Sequence, residues 1–172
     1  MQENPYQILE LDTLDYPDLH EAYQYWCTKK GTKDRIAPAW SDISLLDLPT
    51  VLVPKICIVD VQPDPLDFTY RYWGTAVTSL QHYDLSGKSV TRNTPPAYAQ
   101  CIWDQYNLVV QKRQPHTFIT EVPLEGGYST YYIALRMPLS ADGETIDKIF
   151  TAEEFGEDRG QLKKIFDSAK LS

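Results

Sequence analysis

Hydrophobic and polar positions recur along the chain with two different periods, and the switches between them divide it into elements. From Asp15 to Lys30, Leu19, Tyr23 and Trp26 return at helical spacing, Pro17 suits a first turn and Lys29-Lys30-Gly31 an end, which predicts an amphipathic helix. Thr32 to Pro54 is broken by Pro38, Pro49 and Pro54 and reads as a loop with short turns. Lys55 to Val61, "KICIVDV", is apolar at both alternations, the pattern of a strand covered on both faces. After the turn "QPDP", Phe68 to Val77 reads as a second strand, with Phe68, Tyr70 and Tyr72 on one face and Thr69, Arg71 and Trp73 on the other. The two runs make an antiparallel hairpin.

Beyond Gly74 the period changes. Val77, Leu80 and Gln81 begin a short helix, and Pro95-Pro96 introduces a longer one from Ala97 to Lys112, along which Cys101, Tyr106 and Val109 recur. Arg113-Gln114-Pro115 ends it. Thr117 to Pro123, Ser129 to Leu139 and Thr145 to Ala152 then read as strands, separated by Glu125-Gly126-Gly127 and by "SADGE", where Asp142-Gly143 is a hairpin signal. Leu162, Ile165, Phe166 and Ala169 mark a terminal helix. Strands and helices do not alternate one for one, so the order favours an α+β domain with an antiparallel sheet over a doubly wound parallel one.

Composition narrows the function more than the fold. At 172 residues the chain fits one domain, and 42% hydrophobic content is enough for it to fold. A formal charge of -8 repels polyanions, so nucleic acid is not an expected partner. Cys27, Cys57 and Cys101 are scattered without CxxC spacing, which indicates neither a disulfide framework nor a zinc site and suits a reducing compartment. The acidic N-terminus lacks the basic start and apolar run of a secretory signal, and "VLVPKICIVDV" is interrupted by Pro54, Lys55 and Asp60, so neither export nor a membrane span is expected. The expected location is the cytoplasm.

Gly87-Lys88-Ser89 is the tail of a phosphate-binding loop, G-x-x-x-x-G-K-[ST]. The first glycine position holds His82, however, and "TRNTPP" prevents a helix from opening directly after Ser89. The stretch reads as a solvated turn.

Together with the element order, "YW" at Tyr25-Trp26, "VDV" at Val59 to Val61, "FTYRYWGTAV" followed by "YDLSGKSV", and "MPLSADGETIDKIF" at Met137 to Phe150 resemble the PAS superfamily, in particular its small, often single-domain bacterial members. The motif YR-x-x-GT matches Tyr70, Arg71, Gly74 and Thr75. The resemblance implies a five-stranded antiparallel sheet with helices on one face, enclosing a cavity. It divides the chain into an extension at 1–14, a PAS-like domain at 15–155 that includes the leading helix, and a helical tail at 156–172. It also accounts for "LSGKS" without any phosphate.

Such domains bind small molecules or protein partners and commonly dimerise. The cavity wall expected from the resemblance comprises Arg71, Trp73, Thr75, Tyr98, Trp103, Tyr106 and Tyr132. Arg71 meets either a carboxylate of the fold or an acidic ligand. The flavin-adduct stretch N-C-R-F-L-Q is absent, and the long helix carries no histidine for haem, so no cofactor is predicted. His20, His82 and His116 lack metal-site spacing. Ser79 or Ser89 with His82, and Asp84 with His82, are the only pairings that suggest catalysis, and none lies in a nucleophile elbow.

The expectation is a non-catalytic, stand-alone sensory module that binds a small molecule or a signalling protein and acts in trans. The stripes at Leu19 to Trp26 and Leu162 to Ala169 are suited to a homodimer or partner contact, although packing on their own sheet is the default. The alternatives are a ligand-free interaction hub and a small α+β enzyme with an unrecognised site.

Overall fold

The structure is a computed structural model that describes residues 4–31, 34–156 and 158–171. Its elements are β1 (Tyr6–Leu9), α1 (Pro17–Lys30), β2 (Ile56–Pro63), β3 (Leu66–Trp73), α2 (Thr75–Gln81), α3 (Pro96–Lys112), β4 (His116–Pro123), β5 (Ser129–Leu139), β6 (Lys148–Glu154) and α4 (Arg159–Ala169). The strands form one sheet in the order β1-β4-β5-β6-β2-β3, with every neighbouring pair antiparallel.

The expected antiparallel α+β architecture is present, but the sheet has six strands rather than five. The additional strand, β1, lies in the segment read as an N-terminal extension and pairs with β4, Tyr6 facing Thr120. Four residues are too few to show a period, and the partner strand lies far along the chain, so nothing local announces it.

Residues of β5 separate the two faces of the sheet. Successive side chains on a strand point to opposite faces. Tyr132 meets Tyr98 of α3, whereas the neighbouring Tyr131 ring packs against Phe166 of α4. Helices α3 and α4 therefore cover opposite faces, and β5 is buried from Tyr131 onward. Leu162 and Phe166 are buried against this sheet, as the default expectation for the terminal stripe has it. Helix α1 packs on β5 and β6, and the indole Nε1 of Trp26 donates to the Pro138 carbonyl at 2.8 Å.

Two strand boundaries move by three residues or more, for local reasons. The second strand stops at Trp73, not Val77, because Gly74 turns the chain into α2. A Cβ at Gly74 would lie 2.1 Å from the Pro54 carbonyl oxygen, so close approach of the preceding loop, and not a positive φ, requires glycine there. The last strand starts at Lys148, not Thr145. The β5–β6 connection is longer than a two-residue hairpin, and Asp142 organises it by accepting from the Glu144 and Thr145 amides at 2.8 and 2.7 Å. No helix among the described residues is long and apolar enough to cross a membrane.

Candidate site between the sheet and the long helix

Strict alternation along β3 fails at one residue. Ile58 faces Tyr72 but Val59 faces Tyr70, which leaves Arg71 as the extra residue of a β-bulge. The bulge brings Trp73 onto the face of Phe68 and Tyr70, and the Tyr70 and Trp73 rings meet edge-on with centroids 4.7 Å apart. It also turns Arg71 outward, where its half-exposed side chain donates from Nε to Asp60 at 2.8 Å. Arg71 thus meets a carboxylate of the fold and stands outside the interior.

The Gly87-Lys88-Ser89 stretch lies along the free edge of β3. The Gly87 amide donates to the Tyr70 carbonyl and the Tyr70 amide to the Lys88 carbonyl, at 2.8 and 3.0 Å. This segment covers backbone groups that an edge strand would otherwise expose.

Of the other positions expected to wall a cavity, the structure brings Tyr98, Tyr106 and Tyr132 together between the sheet and α3, all buried. Trp103 is half-buried and packs edge-on against Phe68, centroids 5.8 Å apart. Trp73 spends its indole N–H on Thr78 Oγ1 at 3.0 Å, and Thr75 is exposed at the start of α2.

The centre of this interior is a residue the sequence reading missed, Arg136 of β5, which is 1% exposed. Its Nε donates to Gln105 Oε1 at 3.0 Å, its Nη1 to Thr151 Oγ1 at 3.1 Å and its Nη2 to the Tyr132 hydroxyl at 3.5 Å. The guanidinium carbon lies 4.2 Å from the centroid of the Tyr106 ring, a cation–π contact. Gln105 on α3 is also fully buried and donates to Thr120 Oγ1 at 2.9 Å and to Cys101 Sγ at 3.4 Å, so its amide is fixed between helix and sheet.

Glu153 of β6 shares this face, because Thr151 lies opposite Arg136 and Glu153 opposite Ala134. It is 4% exposed, and its Oε2 has no hydrogen-bond partner among the described residues. Burial pushes its carboxyl up to about 7, and the opposing pull of Arg136 is the smaller effect. Burial likewise holds the hydroxyls of Tyr98, Tyr106 and Tyr132 above the ordinary phenol value, so each is a neutral donor and acceptor. The interior therefore carries a permanent cation, a carboxyl that titrates near neutrality, and neutral hydrogen-bonding groups around them.

A line of hydrogen bonds runs from this centre to the surface. Tyr132 accepts from Tyr98 at 3.3 Å, and Tyr98 accepts from Gln81 Nε2 at 2.7 Å. The Tyr83 hydroxyl reaches Gln81 Oε1 at 3.4 Å and Asn93 Oδ1 at 3.0 Å, and Asn93 Nδ2 donates to the Tyr70 hydroxyl at 3.1 Å. Gln81, Tyr83 and Thr94 line a groove of about 550 Å³ that opens to solvent.

The remaining candidate groups are engaged elsewhere. Burial pushes the Cys57 thiol well up and the Cys101 thiol up to about 12, which keeps both protonated and inert. Ser89 Oγ lies 3.0 Å from Asp67 Oδ1, Asp84 accepts from Ser86, and His82 is an exposed left-handed residue ending α2. None of the paired arrangements weighed for catalysis meets among these contacts. Arg136 carries a signal in the sequence, as the one charged residue of "YYIALRMPL", which is otherwise apolar at both alternations, whereas Glu153 stands between Ala152 and Glu154 in "KIFTAEE" and no local pattern marks it.

No protein-family profile matches the sequence, and no curated protein does. Among solved structures, the chain is similar to the light-state structure of the blue-light photoreceptor Aureochrome1 LOV, at 14% identity over 75% of this chain and 100% of that one, with a TM-score of 0.49. It is similar to a PAS domain of a protein from Colwellia psychrerythraea, at 12% identity over 58% and 86% of the two chains, TM-score 0.41. A third likeness is to a sensory box histidine kinase/response regulator from Burkholderia thailandensis, at 11% identity over 69% and 89%, TM-score 0.41. At these values the overlaps carry nothing about ligand or output. The topology itself, an antiparallel hairpin, two helices and a three-stranded meander, is that of a PAS-type fold with one additional edge strand.

Proposed function

We propose that the chain is a PAS-type sensory or regulatory module that binds a small molecule between its sheet and α3 and passes the change to a partner protein, with no catalysis of its own. The observation that carries this reading is the buried charge at Arg136, held by neutral acceptors beside a carboxyl oxygen of Glu153 that has no partner among the described residues. A buried charge without a close counter-ion is costly, and apolar residues of similar volume would generally serve stability as well or better. Retention of the charge is therefore best explained by something it recognises.

The same groups supply a route for the signal. Gln105 and Tyr98 tie α3 to the sheet through side chains that a ligand at Arg136 would rearrange, and a ligand shifts an equilibrium only through such differential contacts. On β5, Tyr132 faces the interior while Tyr131 touches α4, so a displacement of that strand is felt on both faces.

A second reading, the ligand-free interaction hub, is favoured by the way Tyr98, Tyr106, Tyr132 and Arg136 occupy the space with the chain's own side chains. An absorbance spectrum of freshly purified protein, with mass spectrometry of its solvent extract, separates the two. The sensory reading expects a small molecule near one per chain and no flavin or haem band. An empty extract, with no compound in a metabolite panel raising the melting temperature, establishes the hub.

A further inference from the structure

We propose that Arg136 anchors a small monocarboxylate between β5, β6 and α3, with Glu153 as the second group that holds the acid. The proposal rests on the ligand-binding reading above and names the chemistry of that ligand.

A guanidinium carries five N–H donors in a planar fork. Among the described residues each of the three Arg136 nitrogens has one acceptor, Gln105, Thr151 or Tyr132, and all are neutral. Nη1 and Nη2 each carry a second N–H, and two N–H groups on one guanidinium are the geometry that grips a carboxylate in a bidentate manner. None of the ion pairs among the described residues involves Arg136. Glu153 is its diagonal neighbour across the β5–β6 pair and lies on the same face, so one acid seated on that face meets both side chains.

Charge selects the class. With Glu153 protonated, one bound carboxylate neutralises Arg136 and accepts the Glu153 O–H, so the orphan group gains a partner and the interior carries no net charge. A dianion such as phosphate leaves a net negative charge in a site closed from water. The charged and titratable groups facing Glu153 are Arg136 and Tyr132 on β5, Cys57 on β2, and Tyr98 and Tyr106 on α3, and Arg136 is the only cation among them. The rings of Phe68, Tyr106 and Tyr132 give the rest of the ligand a flat, apolar surrounding. The groove lined by Gln81 opens to solvent at the far end of the hydrogen-bonded line, where the Gln81 bond to Tyr98 is the first link leading to Arg136.

The test is calorimetric titration of the full chain with benzoate, pyruvate, neutral benzamide and inorganic phosphate, while the Arg136 side-chain N–H resonances are followed by NMR. Benzoate or pyruvate is expected to bind at one site and shift those resonances, with benzamide and phosphate at least tenfold weaker. Carboxylate affinity is expected to fall above pH 7 in the wild type and to lose that dependence in Glu153→Gln. Arg136→Met should weaken carboxylate binding at least tenfold, and if that variant does not fold, the resonance shifts in the wild type still decide. Resonances unmoved by both carboxylates, or benzamide binding as tightly as benzoate, or binding of phosphate alone, overturns the proposal. A neutral compound recovered in the solvent extract together with those failures removes the acid but leaves the sensor; an empty extract with no binding of any kind removes both.

Discussion

Replacing Glu153 by glutamine keeps the shape of the side chain and removes its titration, and the consequence is a stability difference that depends on pH in a direction fixed by burial. The carboxyl is raised from 4.5 to about 7 in the native state. Below pH 4.5 it is protonated in both native and unfolded chains and the native state has its full stability. Between 4.5 and 7 the unfolded chain releases the proton while the native interior retains it, so native stability falls as pH rises, and above 7 the loss is complete. At about 1.4 kcal/mol for each tenfold change in proton affinity, the loss is about 3 kcal/mol. Glutamine has no such term. Urea unfolding of both proteins at half-unit intervals from pH 5 to 8 measures it, because the titrations of all other groups cancel in the difference to first order. With a urea slope of about 2 kcal/mol per molar, the wild-type midpoint should drop by about 1 M relative to the variant across that range. A flat difference, or one in which the wild type gains on the variant as pH rises, refutes the reasoning: the first means that the carboxyl is solvated, the second that Arg136 holds it ionised.

Gly74→Ala should cost about 3 kcal/mol or more in urea unfolding, since its Cβ would collide with backbone at Pro54 rather than with a movable side chain. Phe166→Ala should cost about 3–5 kcal/mol and leave the size measured by light scattering unchanged, because the ring is 1% exposed and packs on Tyr131 of its own sheet. Arg71→Ala should cost less than about 1 kcal/mol, the ordinary value of a half-exposed ion pair. The quadruple change Arg136→Met, Gln105→Leu, Thr151→Val and Glu153→Leu should be neutral or stabilising by up to about 4 kcal/mol, as apolar replacements of whole buried charged clusters often are; a large loss in the same unfolding assay would make the cluster a structural requirement.

The parts of the fold legible in the sequence are those whose cause is local. The long helix is announced by Pro96 at its first turn and by the spacing of Cys101, Tyr106 and Val109, and it begins within a residue of expectation. Strand β5 is a long run of strand formers and is recovered from Ser129 to Leu139. What escaped depends on distant partners. Strand β1 exists only through β4, and the bulge that ejects Arg71 comes from register against β2, which no property of "TYRYW" specifies. The same division runs through the site. Tyr98, Tyr106 and Tyr132 stand out as bulky rings in the segments expected to wall a cavity, whereas Arg136 is significant only because burial on both sides of β5 denies it water.

The two faces of β5 divide the work of the protein. Ile133, Leu135 and Met137 lie on the same face as Tyr131 and are all buried and apolar, so their burial accounts for cohesion at about 1.5–3 kcal/mol for each large side chain. Tyr132 and Arg136, on the other face, gather Gln105, Thr151 and Glu153, whose desolvation opposes folding. A domain stabilised on one side of a strand can sustain a disfavoured arrangement on the other, which is the condition for an interior that responds to a ligand instead of merely being filled. On the proposed sensory reading, a ligand that relieves Arg136 and Glu153 moves Tyr132 on one face and, through the shared backbone, Tyr131 and the Phe166 contact on the other.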